Sequence, residues 1–315
     1  MQVGEKWMRW TFAEAGTKTV SKLLQKVIGV AAANWATALL ATFVISLVQV
    51  VSGFSVVKAQ KKSLLPSADQ IIGSCFFGVF AFIATTLAFV VFVYNGDVGV
   101  NTFIITLSIV PGAIIDRVFF GNKLNKRQWL GVAFAILAGY AVLGFPSLSA
   151  AVSQPTWVWM SLGIPMAVAI NQGITQKIKA VDSFVKNFWG GLTTLVLSLA
   201  GLALAGSLGV LVDFSGNMKK IWAVSGLIGV IVVAMWSFNL LSYKGGASIA
   251  LKKLVMNGSY LVAAMLGGVF FFGESLTFGK ASGVALFMAA FALMDKGTWE
   301  FVSRYWPKRS VSVPV

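Results

Sequence analysis

The side chains able to do chemistry in this chain are few, and they sit inside long apolar runs. The densest group lies between residues 248 and 272, where Lys253, Asn257 and Tyr260 recur at i, i+4 and i+7. That spacing puts them on one helix face, with Ser248, Lys252 and Met256 forming a neighbouring stripe about 100° away. A lysine offers a mobile positive charge with three donors, suited to a carboxylate or phosphate, and Asn and Tyr can orient the remainder of a ligand. A structural reading stands beside the functional one. Leu254 to Phe272 is already 19 residues without a formal charge. Lys252 and Lys253 would then flank a membrane span, their stems snorkelling toward the headgroups.

Other polar residues fall into pairs at helical spacing. Asn171 with Thr175, and Gln172 with Gln176, are two i, i+4 pairs; Asn239 and Tyr243 form a third, and Glu14 with Lys18 a charged fourth. Such residues either line a cavity or hydrogen-bond between helices. Asn101 and Thr102 form a further polar spot in an apolar stretch.

What is missing is equally informative. The chain has no histidine and one cysteine, Cys75. Histidine-ligated metal sites, Ser-His hydrolysis and an internal disulfide are thereby excluded. No HExxH, GxSxG or phosphate-cradling glycine loop is present. The sequence therefore predicts no enzyme, no metal and no cofactor.

The elements that must carry these residues follow from composition. Of 315 residues, 57% are hydrophobic and 11% charged, and the mean hydropathy is +0.84. A soluble domain would carry about twice that charged fraction. Apolar runs of roughly 20 residues recur throughout, the length that a bilayer core demands of each helix. The fold class is all-α integral membrane protein. Ten transmembrane helices are predicted, near 7–25, 29–53, 70–94, 98–120, 128–145, 157–178, 188–211, 221–243, 248–272 and 280–295. The first is weak, interrupted by Arg9, Glu14, Lys18 and Lys22.

The net charge of +15 reads as a loop bias rather than a nucleic-acid surface, and no nucleic-acid partner is predicted. With both termini cytoplasmic, 16 Lys and Arg lie inside and 6 outside, Lys18, Lys22, Lys26 and Lys280 among the latter. That asymmetry fits the positive-inside rule.

A shift of 152 residues lays Phe119–Ala133 (FFGNKLNKRQWLGVA) on Phe271–Ala285 (FFGESLTFGKASGVA), with 7 of 15 positions identical. Two halves follow, residues 1–150 and 151–300, with a basic tail over 301–315. Five helices per half is odd, so the second half enters from the opposite side and the repeats are inverted. Inverted repeats meeting at the midplane are a transporter architecture.

At Phe272-Gly273-Glu274-Ser275-Leu276-Thr277 leading to Gly283, and Phe120-Gly121-Asn122-Lys123-Leu124 leading to Gly131, the chain resembles the drug/metabolite transporter superfamily, and within it the EamA-type ten-helix carriers. The Lys252-Lys253 pair also resembles the basic pair on the ninth helix of sugar-phosphate and nucleotide-sugar translocators of that superfamily. The chain departs from the pattern at Asn122, where a Glu is common, and in its charged first helix. The resemblance implies a central cavity and small-molecule transport across a bilayer, often export, and leaves the substrate open. The resulting expectation is a bacterial-type inner-membrane carrier working by alternating access, with a lean to anionic or zwitterionic substrates. Its candidate binding residues are Lys252, Lys253, Asn257, Tyr260, Asn171, Thr175, Gln172, Asn101 and Glu14. The rival within transport is an exporter of cationic or amphipathic compounds, in which Glu14 would be the important charge. The rival outside it is a structural bundle without a cavity. A homodimer is compatible with either fold.

Overall fold

The computed structural model describes residues 3–31, 34–121, 124–147, 150 and 153–294. The basic tail over 301–315 and the turn residues Asn122 and Lys123 lie outside them. Among the described residues the chain is helical, without strands. The helices are α1 Val3–Ala31, α2 Trp35–Ala59, α3 Ala68–Val93, α4 Val98–Thr106, α5 Ile109–Phe120, α6 Lys126–Val142, α7 Thr156–Lys177, α8 Ser183–Leu204, α9 Gly216–Lys244, α10 Ile249–Phe272 and α11 Phe278–Met294. Among the described residues six segments are long and apolar enough to cross a membrane, counting α4 and α5 as one. The chain is a multi-pass membrane protein.

Helix ends follow local chemistry. Asn34, Asp97 and Asp182 each accept a backbone N–H in the first turn of the helix they precede, and Asn125 forms a reciprocal capping box with Gln128. These caps satisfy amides that have no partner within the helix. The expected fourth helix is split by Pro111. Val110 N bonds Leu107 O rather than the carbonyl four residues back, and proline supplies no donor for the next bond. The expected seventh helix begins at Ser183 instead of 188 and ends at Leu204, followed by a 3-10 turn over Leu208–Leu211. The expected first helix, weak by hydropathy, is 29 residues long.

Packing is pairwise. Helix α1 lies against α9 and α3 against α7; α2 packs on α8 and α6 on α11. Helix α2 also touches α9 as α3 touches α8, and α10 reaches both α1 and the α4–α5 segment. Small residues permit the close approaches. A Cβ on Gly283 in α11 would collide with Val142 of α6. The two Phe-Phe-Gly turns have the same backbone: Gly121 and Gly273 follow α5 and α10 with φ of +69° and +66°, a left-handed conformation natural to glycine at a helix C-terminus.

Candidate functional site

Helix α1 is the centre of the polar architecture. Glu14, Lys18, Lys22 and Lys26 recur every four residues, so the helix turns one charged stripe toward α3, α9 and α10 and the apolar remainder outward. Phe12 and Val30 are among its exposed residues, whereas Glu14 and Lys22 are buried. Charged side chains survive at membrane depth only when they face the bundle interior and find partners. The stripe meets three different environments.

At its first charge, Glu14 Oε2 lies 2.7 Å from Lys252 Nζ of α10. Asn239 of α9 donates its Nδ2 to Glu14 Oε1 (3.0 Å) and to Gln172 Oε1 of α7 (2.9 Å). Gln172 Oε1 also receives the Tyr243 hydroxyl and Lys252 Nζ. Lys252 sits 4.5 Å above the Tyr243 ring. All five residues are buried, so this network ties α1, α7, α9 and α10 together.

At the far end of the stripe, Lys26 donates to Gly96 O and lies 4.0 Å from Glu274. Glu274 accepts from Val98 N (2.7 Å) and Gly99 N (3.2 Å). The carboxylate of the second Phe-Phe-Gly turn therefore caps α4 of the other half, where the helix dipole favours an anion. Lys280 completes this end by pairing with Asp97 at 2.6 Å. Burial raises the Glu274 carboxyl above its ordinary range, while its bond from the Val98 amide pulls the other way.

Between the two ends lies a cavity of about 80 Å³. Lys18, Ser21, Lys22 and Gln25 contribute one wall, and Trp236 of α9 and Tyr260 of α10 the aromatic part of another. Lys18 Nζ stands 4.4 Å over the Tyr260 ring. Lys22 Nζ is 4.5 Å from the Phe92 ring centroid and has no hydrogen-bond partner among the described residues. Among the described residues neither lysine is within ion-pair distance of a carboxylate.

The residues singled out from the sequence are distributed over this framework unequally. Tyr260 lines the cavity. Glu14, Gln172 and Lys252 meet in the buried network below it. Lys253 and Asn257 turn to the α4–α5 break: Lys253 Nζ donates to Ser108 O (2.9 Å) and Asn257 Nδ2 to Thr106 O (3.1 Å). Gly112 gives the lysine its room, since a Cβ there would come within 3.2 Å of its stem. Asn101 donates to Ser161 Oγ at 2.7 Å, Asn171 to Phe77 O at 3.0 Å, and Thr175 to Asn171 O within its own helix. Lys252 and Lys253 are fully buried and do not snorkel. Lys18 and Lys22, read as an outer flank, line the cavity instead; Lys280 is buried in α11. Lys186, two residues before the expected start of the seventh helix, is buried in the first turn of α8 with Nζ donating to Trp236 O. The i, i+4 repetition along residues 14–26 was the signal that could have placed Lys18 and Lys22.

Comparison with known proteins bears on the whole arrangement. The EamA-like transporter family model matches residues 10–144, consistent with membership of the drug/metabolite transporter superfamily. No curated protein matches the sequence. A solved structure titled only as the crystal structure of a protein superposes with a TM-score of 0.66 at 15% identity, over 94% of this chain and 98% of the other. At that identity the likeness establishes a shared fold alone, and it extends across both halves. Over residues 10–144 the chain is thus similar to membrane transporters of small molecules, and among the described residues its long apolar helices fit a lipid bilayer.

Proposed function

We propose that the chain is a membrane transporter that carries small organic anions or zwitterions through the cavity beside Lys18 and Lys22. The observation carrying this reading is the Lys22 ammonium, buried, turned to the cavity and without a hydrogen-bond partner. A buried cation left in that state is costly, and an anionic group on a substrate is the partner that lowers the cost. Trp236 and Tyr260 offer apolar faces to the body of the same molecule. Glu14 favours the anion over a cationic substrate, because its carboxylate is already engaged by Lys252 and Asn239.

The mode of action we propose is alternating access by two inverted five-helix halves, residues 1–150 and 151–300. The helix pairing supports it: exchanging the halves turns α1–α9 into α7–α3 and α2–α9 into α8–α3, and maps α2–α8 and α6–α11 onto themselves. The cavity lies on α1 between the Glu14 network and the Lys26–Glu274 network, so each end has a set of polar contacts that can part while the other holds. The charge bias of the loops supports an inner membrane with cytoplasmic termini.

Flux into proteoliposomes tests the assignment, with a panel of carboxylates, phosphates, amino acids and organic cations. Lys22→Gln is expected to weaken transport of the preferred anion roughly 10- to 100-fold, the worth of one charged hydrogen bond. Wild-type transport confined to cations, or anion flux unchanged in Lys22→Gln, would sink the proposal.

A further inference from the structure

Two grooves, the first apolar and the second apolar with a polar end at Ser67, Asp69 and Gln70, open on the outside of the bundle and share one helix. The first, about 270 Å³, lies between α5 and α7, with Phe119 and Phe120 facing Ile170 and Ile174. The second, about 720 Å³, lies between α3 and α7, with Ile72 and Phe76 facing the same Ile170 and Ile174. Lys177, in the last turn of α7, belongs to the lining of both. Phe119, Ile72 and Phe76 are strongly exposed, so both grooves present large apolar side chains to the surroundings of the bundle. Lys177 is exposed and forms no ion pair among the described residues. Asp69 lines the second groove on the α3 side and disfavours an anion there, which leaves the Lys177 side for a headgroup.

We infer that this face is a binding site for a two-chain phospholipid with an anionic headgroup. One acyl chain lies in each groove astride the Ile170–Ile174 ridge, and the phosphate rests on Lys177. The geometry favours a lipid over other occupants for two reasons. Lys177 lies in the lining of both grooves, which share the Ile170–Ile174 wall, as the branch point of a glycerolipid requires. The site also sits at the end of the bundle that carries Lys58, Lys61, Lys62 and Lys179, which the positive-inside bias assigns to the leaflet rich in anionic lipids. This placement depends on the membrane topology and not on which substrate the central cavity takes.

The test uses the full chain in nanodiscs of phosphatidylglycerol and phosphatidylcholine in equal amounts, with retained lipid identified by native mass spectrometry. The wild type is expected to retain phosphatidylglycerol about five-fold over phosphatidylcholine, the effect of one lysine at a membrane surface. Lys177→Gln brings the ratio to near parity and Lys177→Arg preserves it. Ile174→Trp fills the ridge without changing charge and removes retained lipid of both kinds. Excess inorganic phosphate or glycerol 3-phosphate leaves the retained lipid in place. The inference is overturned if Lys177→Gln keeps the preference or if either free anion displaces the lipid. A protein dimer without retained lipid overturns it too, by making the face a contact between copies.

Discussion

Removing the Glu14 charge isolates the worth of the buried pair on which α1 and α10 meet. Glu14→Gln keeps the shape and the acceptor for Asn239 but leaves Lys252 without its counter-charge. At 2.7 Å and an effective dielectric constant of about 20, the attraction is about 6 kcal/mol. Part of that offsets the desolvation of two fully enclosed ions, and Gln172 still accepts from Lys252 at 3.0 Å. The expected net loss is therefore about 3–5 kcal/mol, the usual cost of breaking a buried pair from one side. Lys252→Met alone should cost a similar amount, because it strands the carboxylate. The double variant should return to within about 1 kcal/mol of wild type, since replacing both members of a buried pair is often neutral. Unfolding of the four proteins in mixed detergent micelles, followed by the loss of helical signal, gives the cycle directly. Additive single effects would refute the reasoning: the pair would then be two independent surface-like charges, and the network would not hold the helices together.

The α4–α5 break gives a contrast between neighbours. Asn257→Leu leaves Thr106 O buried without a donor and should cost about 1–3 kcal/mol in the same assay. Lys253→Met leaves Ser108 O with its bond from Gly112 N and removes a buried charge, so stability should hold; a loss of anion flux in that variant would restore Lys253 to the binding site. Asp182 supplies a pH effect outside the membrane. Burial raises its carboxyl, but the Lys62 ammonium at 2.7 Å and the Phe184 amide outweigh it and hold it below the usual range. Its contribution to stability is thus present above the unfolded pKa and is lost as pH falls through the lower folded value. Asp182→Asn should flatten the stability profile below about pH 4; an unchanged acid limb in the variant would assign that limb to other groups.

Much of the fold was legible because membrane helices advertise themselves by length. The segments from Trp35 to Ala59 and from Ala68 to Val93 are apolar enough along their length that a running average finds them without knowing their neighbours. The repeated Phe-Phe-Gly turn was legible for a different reason: a left-handed residue at a helix end is a local requirement, and glycine meets it at both places. The site was less legible. Averaging over a helix hides which face a charge occupies, so Lys18 and Lys22 counted as flanking charge when they project into the interior. Lys253 and Asn257 share a face, as their spacing demands, but a shared face says nothing about what stands opposite. Here it is the backbone of the helix broken at Pro111, about 145 residues earlier in the chain, where the Thr106 carbonyl has lost its helical donor and the Ser108 carbonyl accepts a second bond.

By itself the sequence determined the class of protein. Its charged fraction is too low for water, its apolar runs match a bilayer, and the absence of histidine removes histidine-ligated metal sites and Ser-His hydrolysis. Only the tertiary structure decided how the few charges are shared out. Ion-pair energy falls off within a few ångströms, so which carboxylate neutralises which lysine depends on contacts between helices hundreds of residues apart. Glu14 meets Lys252, Glu274 caps α4, and the lysines between them on α1 are left facing a cavity. That remainder, fixed by packing rather than by local pattern, is where the chain's polar chemistry is concentrated.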